Sequence, residues 1–112
     1  MILDDKNIFI LENLRKKKNI VMCHGVFDVL HYGHITHFEE AKKNGDILVV
    51  SITDNQFVNK GPDRPIFDSI IRAKSILALQ TVDFVIISKA YDCVNKLKKI
   101  KPNFFAKDIE YL

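Results

Sequence analysis

The sequence lacks an apolar run that approaches the length of a membrane span, so no membrane partner is predicted. Residues 1–6 lack the basic-then-apolar order of a signal peptide, and we therefore expect a cytoplasmic protein. Cysteine is scarce. Cys23 ends a predicted strand and Cys93 opens a predicted helix, and this placement gives no support to a disulfide between them.

The residues that are present suffice for a core. With 112 residues, of which 47% are hydrophobic and 28% charged, the chain is expected to form a single globular domain, residues 1–112. The net charge of +3 is accompanied by basic runs at residues 15–18 and 96–101. Both runs lie on helical patterns and no base-reading motif accompanies them, so we interpret them as solvated helix faces and predict no nucleic-acid partner.

Short apolar runs alternate with helical patterns along the chain. Strands are predicted at residues 20–23, 47–52, 84–87 and 104–106, which are mostly rich in branched or aromatic residues. Helices are predicted at residues 8–17 and 35–43 and after the N-cap candidates Asp68 and Asp92, with stops at Asn44-Gly45 and Pro102. This alternation predicts an α/β fold, doubly wound and Rossmann-like, with a mostly parallel sheet and helices on both faces. The pattern does not give the strand order.

Residues 23–34, CHGVFDVLHYGH, join the first predicted strand to the next helix. In an α/β sheet such a turn lies at the carboxyl end of a strand, where the following helix offers unpaired N–H groups and the positive end of its dipole. His31 and His34 add donors that can carry charge. Gly25 lets a ligand approach the backbone, and Gly33 leaves room between the two imidazoles. The turn therefore predicts a phosphate site.

The histidines have two alternative interpretations. In the first, His31 and His34 cap the helix or are half-buried; the two glycines, Asp28 and the strand-to-helix context favour the phosphate site instead. In the second, the two bind a metal together with His37. A spacing of three rotates His37 away by about 60° on a regular helix, and neither Cys23 nor Asp28 completes a zinc spacing. No protein-held metal site is predicted.

A loop interrupts the alternation at residues 55–67, around the segment GPDRP at residues 61–65. Lys60 and Arg64 lie on it, and two cations on one loop suggest an anion clamp. Solvated loop charges are the alternative.

The pattern G-x-F-D-x-x-H-x-G-H at residues 25–34 resembles the HxGH nucleotidyltransferases and, within them, the cytidylyltransferase-like branch. Residues 41–46, 58–65, 72–73 and 81–85 support the resemblance, which runs from about Asn19 to Tyr111. The branch includes glycerol-3-phosphate cytidylyltransferase and the heptose-phosphate adenylyltransferase of ADP-heptose synthesis. Residues 58–65 resemble the heptose-phosphate type more closely.

This resemblance implies an enzyme in which a phosphate on a sugar or polyol attacks the α-phosphorus of CTP or ATP and releases pyrophosphate. Mg²⁺ would neutralise the triphosphate, and no covalent enzyme intermediate is implied. The implied catalytic residues are His31 and His34, which bind the triphosphate, and Lys60, which reaches its phosphates. The implied nucleotide-binding residues are Gly25, Val26, Phe27, Asp28, Gly33, Lys42, Arg72, Lys107 and Glu110. Related enzymes are often dimers, which leaves a homodimer open.

The sequence departs from the family pattern in two places. Asp108 follows Lys107 where the family usually has glycine, so the nucleotide stays open between CTP and ATP. The chain stops at Leu112, so we expect the family's C-terminal strand and its Ser/Thr-rich helix start to be lacking. The open functions are a heptose-phosphate adenylyltransferase, a glycerol-3-phosphate cytidylyltransferase-type enzyme and a non-catalytic nucleotide-binding module.

Overall fold

The computed structural model describes residues 1–55, 67–88 and 93–107. Strands and helices alternate along these residues, as the sequence predicts, and no helix among them is long and apolar enough to span a membrane. The elements are β1 Ile2–Leu3, α1 Phe9–Arg15, β2 Ile20–Gly25, α2 Tyr32–Lys42, β3 Ile47–Thr53, α3 Ser69–Leu77, β4 Phe84–Ser88, α4 Cys93–Ile100 and β5 Phe104–Lys107.

The strands form one parallel sheet in the order β1-β4-β3-β2-β5. From β2 the chain adds β3 and then β4 on one side, whereas β5 pairs with the other side of β2. The strand order therefore reverses between β2 and β5, and in open α/β sheets ligands bind beyond the carboxyl ends of the strands at such a reversal. The predicted fold class is confirmed, and the strand order places the turn after β2 beside this switch point.

Side chains of β2 alternate between two apolar cores, one on each face of the sheet. Cys23 belongs to the core that contains Phe38 of α2, and Met22 belongs to the core that contains Leu11 of α1 and Ile100 of α4. Helices thus cover both faces, which is why β2 and β3 are buried along nearly their whole length and read as continuous apolar runs.

Some boundaries differ from the predicted ones. The pattern does not predict β1, because two residues are too few to show a period; β1 pairs with β4. Helix α2 begins at Tyr32 rather than at residue 35, since His31 is its N-cap. Asp68 caps α3 as predicted, accepting a hydrogen bond from the N–H of Ile70, whereas Asp92 lies outside the described residues.

The two basic runs differ in their surroundings. Lysines 16–18 are exposed, as predicted for a solvated face. Lys96 is instead only 7% exposed and forms an ion pair with Asp5. Arg15 Nη1 donates to the carbonyl oxygen of Ile100 at 3.1 Å and so links α1 to α4. Part of this positive charge therefore holds the two helices in place.

Candidate active site

The turn between β2 and α2 brings His31 and His34 together at the N-terminus of α2. His31 is the N-cap, and its Nδ1 accepts a hydrogen bond from the Gly33 N–H at 3.0 Å. His34 Nδ1 accepts in return from the His31 N–H at 3.2 Å. The two bonds form a capping box in which imidazoles take the positions that Ser or Thr and Glu usually occupy. Helix capping and the predicted phosphate site thus involve the same two side chains.

These caps determine which nitrogen of each ring accepts a hydrogen bond. A ring nitrogen that accepts a hydrogen bond from a backbone N–H carries no proton, so each neutral imidazole has its proton on Nε2. In this tautomer Nε2 of each ring is a hydrogen-bond donor.

The two imidazoles are stacked, with ring centroids 3.9 Å apart and planes at 30°. A Cβ on Gly33 would lie 2.8 Å from Cε1 of His31 and 3.0 Å from its Nδ1. Such a contact is too short for a real side chain, so only glycine at position 33 leaves the His31 ring where it is. This is the physical reason for the glycine between the two histidines.

Phe27 also packs against His34. Its backbone has φ = 50°, a left-handed value that a bulky residue rarely adopts and that costs on the order of 1–3 kcal/mol. The buried ring packs edge-on against His34, with centroids 5.2 Å apart and planes at 87°, and against Phe38 at 5.1 Å. The strained residue thus turns the chain out of β2 while its side chain helps to orient the histidine.

Arg72 of α3 donates hydrogen bonds to the backbone at both ends of the contact between the turn and α3. It is only 2% exposed; its Nη1 donates to the carbonyl oxygen of Val26 at 2.8 Å and its Nε to that of Phe67 at 2.9 Å. Asp28 completes the connection, because its Oδ1 accepts from the Phe67 N–H at 3.0 Å. Burial lowers the pKa of Arg72, and the carboxylates of Asp28, Asp54 and Asp68 oppose that shift. Arg72 thus contacts the backbone on which the histidines are built.

Asn55 is a site residue that the sequence prediction missed. Its Oδ1 accepts from Arg72 Nη2 at 2.9 Å and from the Ser69 N–H at 2.8 Å, and its Nδ2 donates to Asp68 Oδ1 at 2.8 Å. The bond from Asn55 holds the pKa of Asp68 below its ordinary value of 3.8, with help from the N–H of Ile70. A polar residue two positions after the end of a buried strand was the available signal.

The structure does not bring Lys42 to the histidines. Helix α2 runs antiparallel to the strands, so its last residue lies about 15 Å from the histidine pair, at the amino ends of the strands. There Lys42 forms an ion pair with Asp83, whose Oδ2 also accepts from the Leu48 N–H at 2.8 Å. Among the described residues, Lys42 is therefore part of the opposite edge of the sheet.

The remaining predicted site residues are only partly described. Lys107 ends β5 and is paired with His24 of β2, which places its backbone at the switch point. Gly25 ends β2 immediately before the turn. Lys60, Arg64 and Glu110 lie outside the described residues.

Comparison with known proteins decides the family. The family model described as cytidylyltransferase-like matches residues 22–112. The chain belongs to the cytidylyltransferase-like family. The predicted branch is confirmed at the level of the family.

Relatives of this cytidylyltransferase-like chain include two proteins named bifunctional protein HldE. That of Campylobacter fetus is 39% identical over 99 residues, which cover 87% of this chain and 22% of the relative. That of Pseudomonas putida is 41% identical over 98 residues, which cover 85% of this chain and 20% of the relative. The chain thus spans about a fifth of the length of these relatives.

Two solved structures resemble the fold. The lipopolysaccharide core biosynthesis protein from Thermoplasma volcanium has a TM-score of 0.73 and 36% identity, covering 79% of this chain and 72% of that one. The pantoate-beta-alanine ligase from Francisella tularensis was solved in complex with beta-gamma ATP and beta-alanine. It has a TM-score of 0.63 and 21% identity, and the match covers 94% of this chain and 55% of that one. The second likeness concerns the fold alone.

Proposed function

We propose that this cytidylyltransferase-like domain transfers a nucleotidyl group from ATP or CTP to the phosphate of a sugar or polyol and releases pyrophosphate. The activity it most resembles is that of a heptose-phosphate adenylyltransferase, in keeping with the similarity to bifunctional protein HldE. A glycerol-3-phosphate cytidylyltransferase-type activity is the second candidate. The observation that supports both is the stacked pair of His31 and His34, which cap the N-terminus of α2.

In the proposed reaction an oxygen of the acceptor phosphate forms a bond to the α-phosphorus of the nucleotide. The bond from that phosphorus to the bridging oxygen breaks, and its electron pair leaves with pyrophosphate. Negative charge grows on the departing oxygens, so donors that already point at them lower the barrier. His31 and His34 would supply these donors, and the unpaired N–H groups of the first turn of α2 would add to them.

Asp28, Phe27 and Arg72 have positioning roles in this proposal. Asp28 and Arg72 fasten the turn to the start of α3, and Phe27 packs against His34. A displacement of about 1 Å at a reacting group can cost roughly 10²-fold in rate, so a rigid turn serves catalysis directly. Lys60, Lys107 and Glu110 stay predicted ligands of the nucleotide, as does the backbone at Gly25 and Val26.

Mg²⁺ belongs to the proposal as a companion of the triphosphate. Within residues 1–55, 67–88 and 93–107 there is no group of three or more His, Cys, Asp or Glu side chains that could hold a metal ion. Mg²⁺ commonly uses one or two carboxylates together with substrate phosphates, a mode that needs no such group. Bound in this way it would neutralise charge on the triphosphate. The cytoplasmic location and the homodimer stay predictions.

Pyrophosphate release tests the function. The chain is incubated with Mg²⁺ and either ATP or CTP, each with a heptose phosphate and with glycerol 3-phosphate, and turnover is expected for one nucleotide and one acceptor. His37→Ala is the matched control for His34→Ala, since His37 lies on the same helix but outside the stacked pair. A nucleotide that raises the melting temperature without any pyrophosphate release would indicate the non-catalytic module instead. Absence of both effects would contradict the proposal.

A further inference from the structure

Asn55 lies two residues after the end of β3 and is half-buried. Its Oδ1 accepts from Arg72 Nη2 at 2.9 Å and from the Ser69 N–H at 2.8 Å, whereas its Nδ2 donates to Asp68 Oδ1 at 2.8 Å. Two donors face the oxygen and a carboxylate faces the nitrogen, so the neighbours determine the orientation of the amide. A carboxylate at position 55 could not donate to Asp68, and an alanine could make none of the three bonds.

The guanidinium of Arg72 donates, among the described residues, to uncharged oxygens only. Its Nε and Nη1 donate to the carbonyl oxygens of Phe67 and Val26, and its Nη2 donates to Asn55 Oδ1. Three carboxylates also act electrostatically on this guanidinium, those of Asp28, Asp54 and Asp68. Because a guanidinium is a rigid planar fork, a partner on one Nη fixes the direction in which the other Nη points. Asn55 therefore aims Nη1 at Val26 and keeps the guanidinium from turning toward a carboxylate.

The bond from Arg72 to Val26 reaches the strained point of the turn. The carbonyl group of Val26 belongs to the planar peptide that precedes Phe27, and the φ angle of Phe27 describes how this peptide is rotated about the N–Cα bond. This φ is 50°, a left-handed value that a bulky residue keeps only where its surroundings impose it. A hydrogen bond of 2.8 Å from a charged donor can offset such strain. Because the ring of Phe27 packs edge-on against His34, with centroids 5.2 Å apart, the orientation of this peptide also affects the place of His34.

We propose that Asn55 is a positioning residue for the proposed reaction. It holds Arg72 so that Nη1 faces Val26, and Arg72 in turn holds the peptide before Phe27. His34 then stays at the place where the α-phosphorus has to meet the acceptor phosphate. This inference rests on the proposed function for the reaction, whereas the link from Asn55 to His34 does not depend on it. Asn55 acts through Arg72 and contacts no substrate.

Steady-state kinetics with two substitutions at position 55 test the role. Asn55→Ala is expected to lower kcat about tenfold and to leave the KM for the nucleotide within about twofold, because a misplaced His34 affects the transition state more than binding. Asn55→Asp keeps an oxygen for Arg72 and Ser69 and loses the bond to Asp68, so its kcat is expected to stay within about threefold of wild type. Both variants are expected to unfold at a lower urea concentration than wild type. A wild-type kcat in Asn55→Ala, or equal losses of kcat in the two variants, would overturn the proposal.

Asn103→Ala is the matched control. Asn103 Oδ1 accepts from the Ile20 N–H at 2.9 Å, at the amino end of β2 and therefore at the opposite edge of the sheet from the turn. This substitution also removes a bond from an amide side chain to the backbone, so it is expected to lower the stability and to leave kcat unchanged. A loss of kcat in Asn103→Ala as large as that in Asn55→Ala would show a general effect of destabilisation and would contradict the positioning role.

Histidine-ring NMR signals of the ligand-free protein test the link without turnover. The His34 signals are expected to move in Asn55→Ala, because the ring of Phe27 packs against this imidazole, and to stay unmoved in Asn103→Ala. His34 signals that are the same in Asn55→Ala and in wild type would refute the link and with it the proposal. If the His34 signals move as expected while the wild-type chain releases no pyrophosphate, the proposed function fails and the link from Asn55 to His34 stands.

Discussion

Gly33→Ala should separate catalysis from stability, because the new Cβ interferes with one side chain only. It would lie 2.8 Å from Cε1 of His31, so the His31 ring has to leave its place. The ring then loses its cap from the Gly33 N–H and its stacking on His34. Loss of an N-cap costs about 0.5–2 kcal/mol, and alanine in place of glycine within a helix gains about 1 kcal/mol.

The two changes in stability nearly cancel, so the free energy of unfolding should change by less than about 1 kcal/mol, or a melting temperature by roughly 4 °C or less. The rate should nevertheless fall by about 10²-fold, because one of the two donors no longer points at the reacting phosphates. Pyrophosphate release and thermal unfolding measure the two quantities on the same sample. A Gly33→Ala protein with more than about a third of wild-type turnover would refute this account of the turn.

Gly45→Ala is the matched control, for which we expect a loss of stability without a loss of turnover rate. Its Cβ would lie 2.8 Å from Cγ2 of Val21 and 2.9 Å from the carbonyl oxygen of Asn19, at the amino ends of β2 and β3. Backbone cannot rotate away as an imidazole can, so the substitution should destabilise the fold by about 1–3 kcal/mol. The remaining folded protein should turn over at the wild-type rate, since the active site lies at the other end of the strands.

Three further results are expected. His34→Ala should lower kcat about 10²- to 10³-fold with an unchanged circular dichroism spectrum, and a loss below about tenfold would contradict its role. Arg72→Ala should lower the free energy of unfolding in urea by at least about 2 kcal/mol, because the carbonyl groups of Val26 and Phe67 lose a buried donor. An unfolding midpoint equal to that of wild type would contradict this stabilising role of Arg72. The lowered pKa of Asp68 contributes stability that is fully present above its ordinary value of 3.8 and is lost as the pH falls below it. Asp68→Asn should therefore show a shallower loss of stability between about pH 4 and pH 2 than wild type, and parallel acid unfolding curves would exclude the effect.

The fold could be predicted from the sequence where a pattern is local. Strands β2 and β3 are continuous apolar runs because both faces of the sheet are covered, and the intervening helices show their own period and caps. Strand β1 has only two residues, and it pairs with β4 more than 80 positions later, for which a local pattern holds no signal. The order of the strands likewise depends on packing between distant segments.

The same distinction holds for the active site. The histidine pair and its glycine lie within four consecutive residues, so their spacing alone predicts that they meet. The bonds of Arg72 to Val26 and Asn55 join positions 46 and 17 residues apart and arise only from the tertiary fold. Lys42 shows the reverse case, because its position in sequence suggested the phosphates while the direction of α2 carries it to Asp83.

The caps on His31 and His34 also bear on how the product of the proposed reaction would leave. A hydrogen bond holds pyrophosphate only while its distance and angle are right. The caps fix both rings at the first turn of α2, so the rings cannot follow the pyrophosphate as it draws back from the α-phosphorus. The pair that stabilises the leaving group during the reaction would then not retain it afterwards.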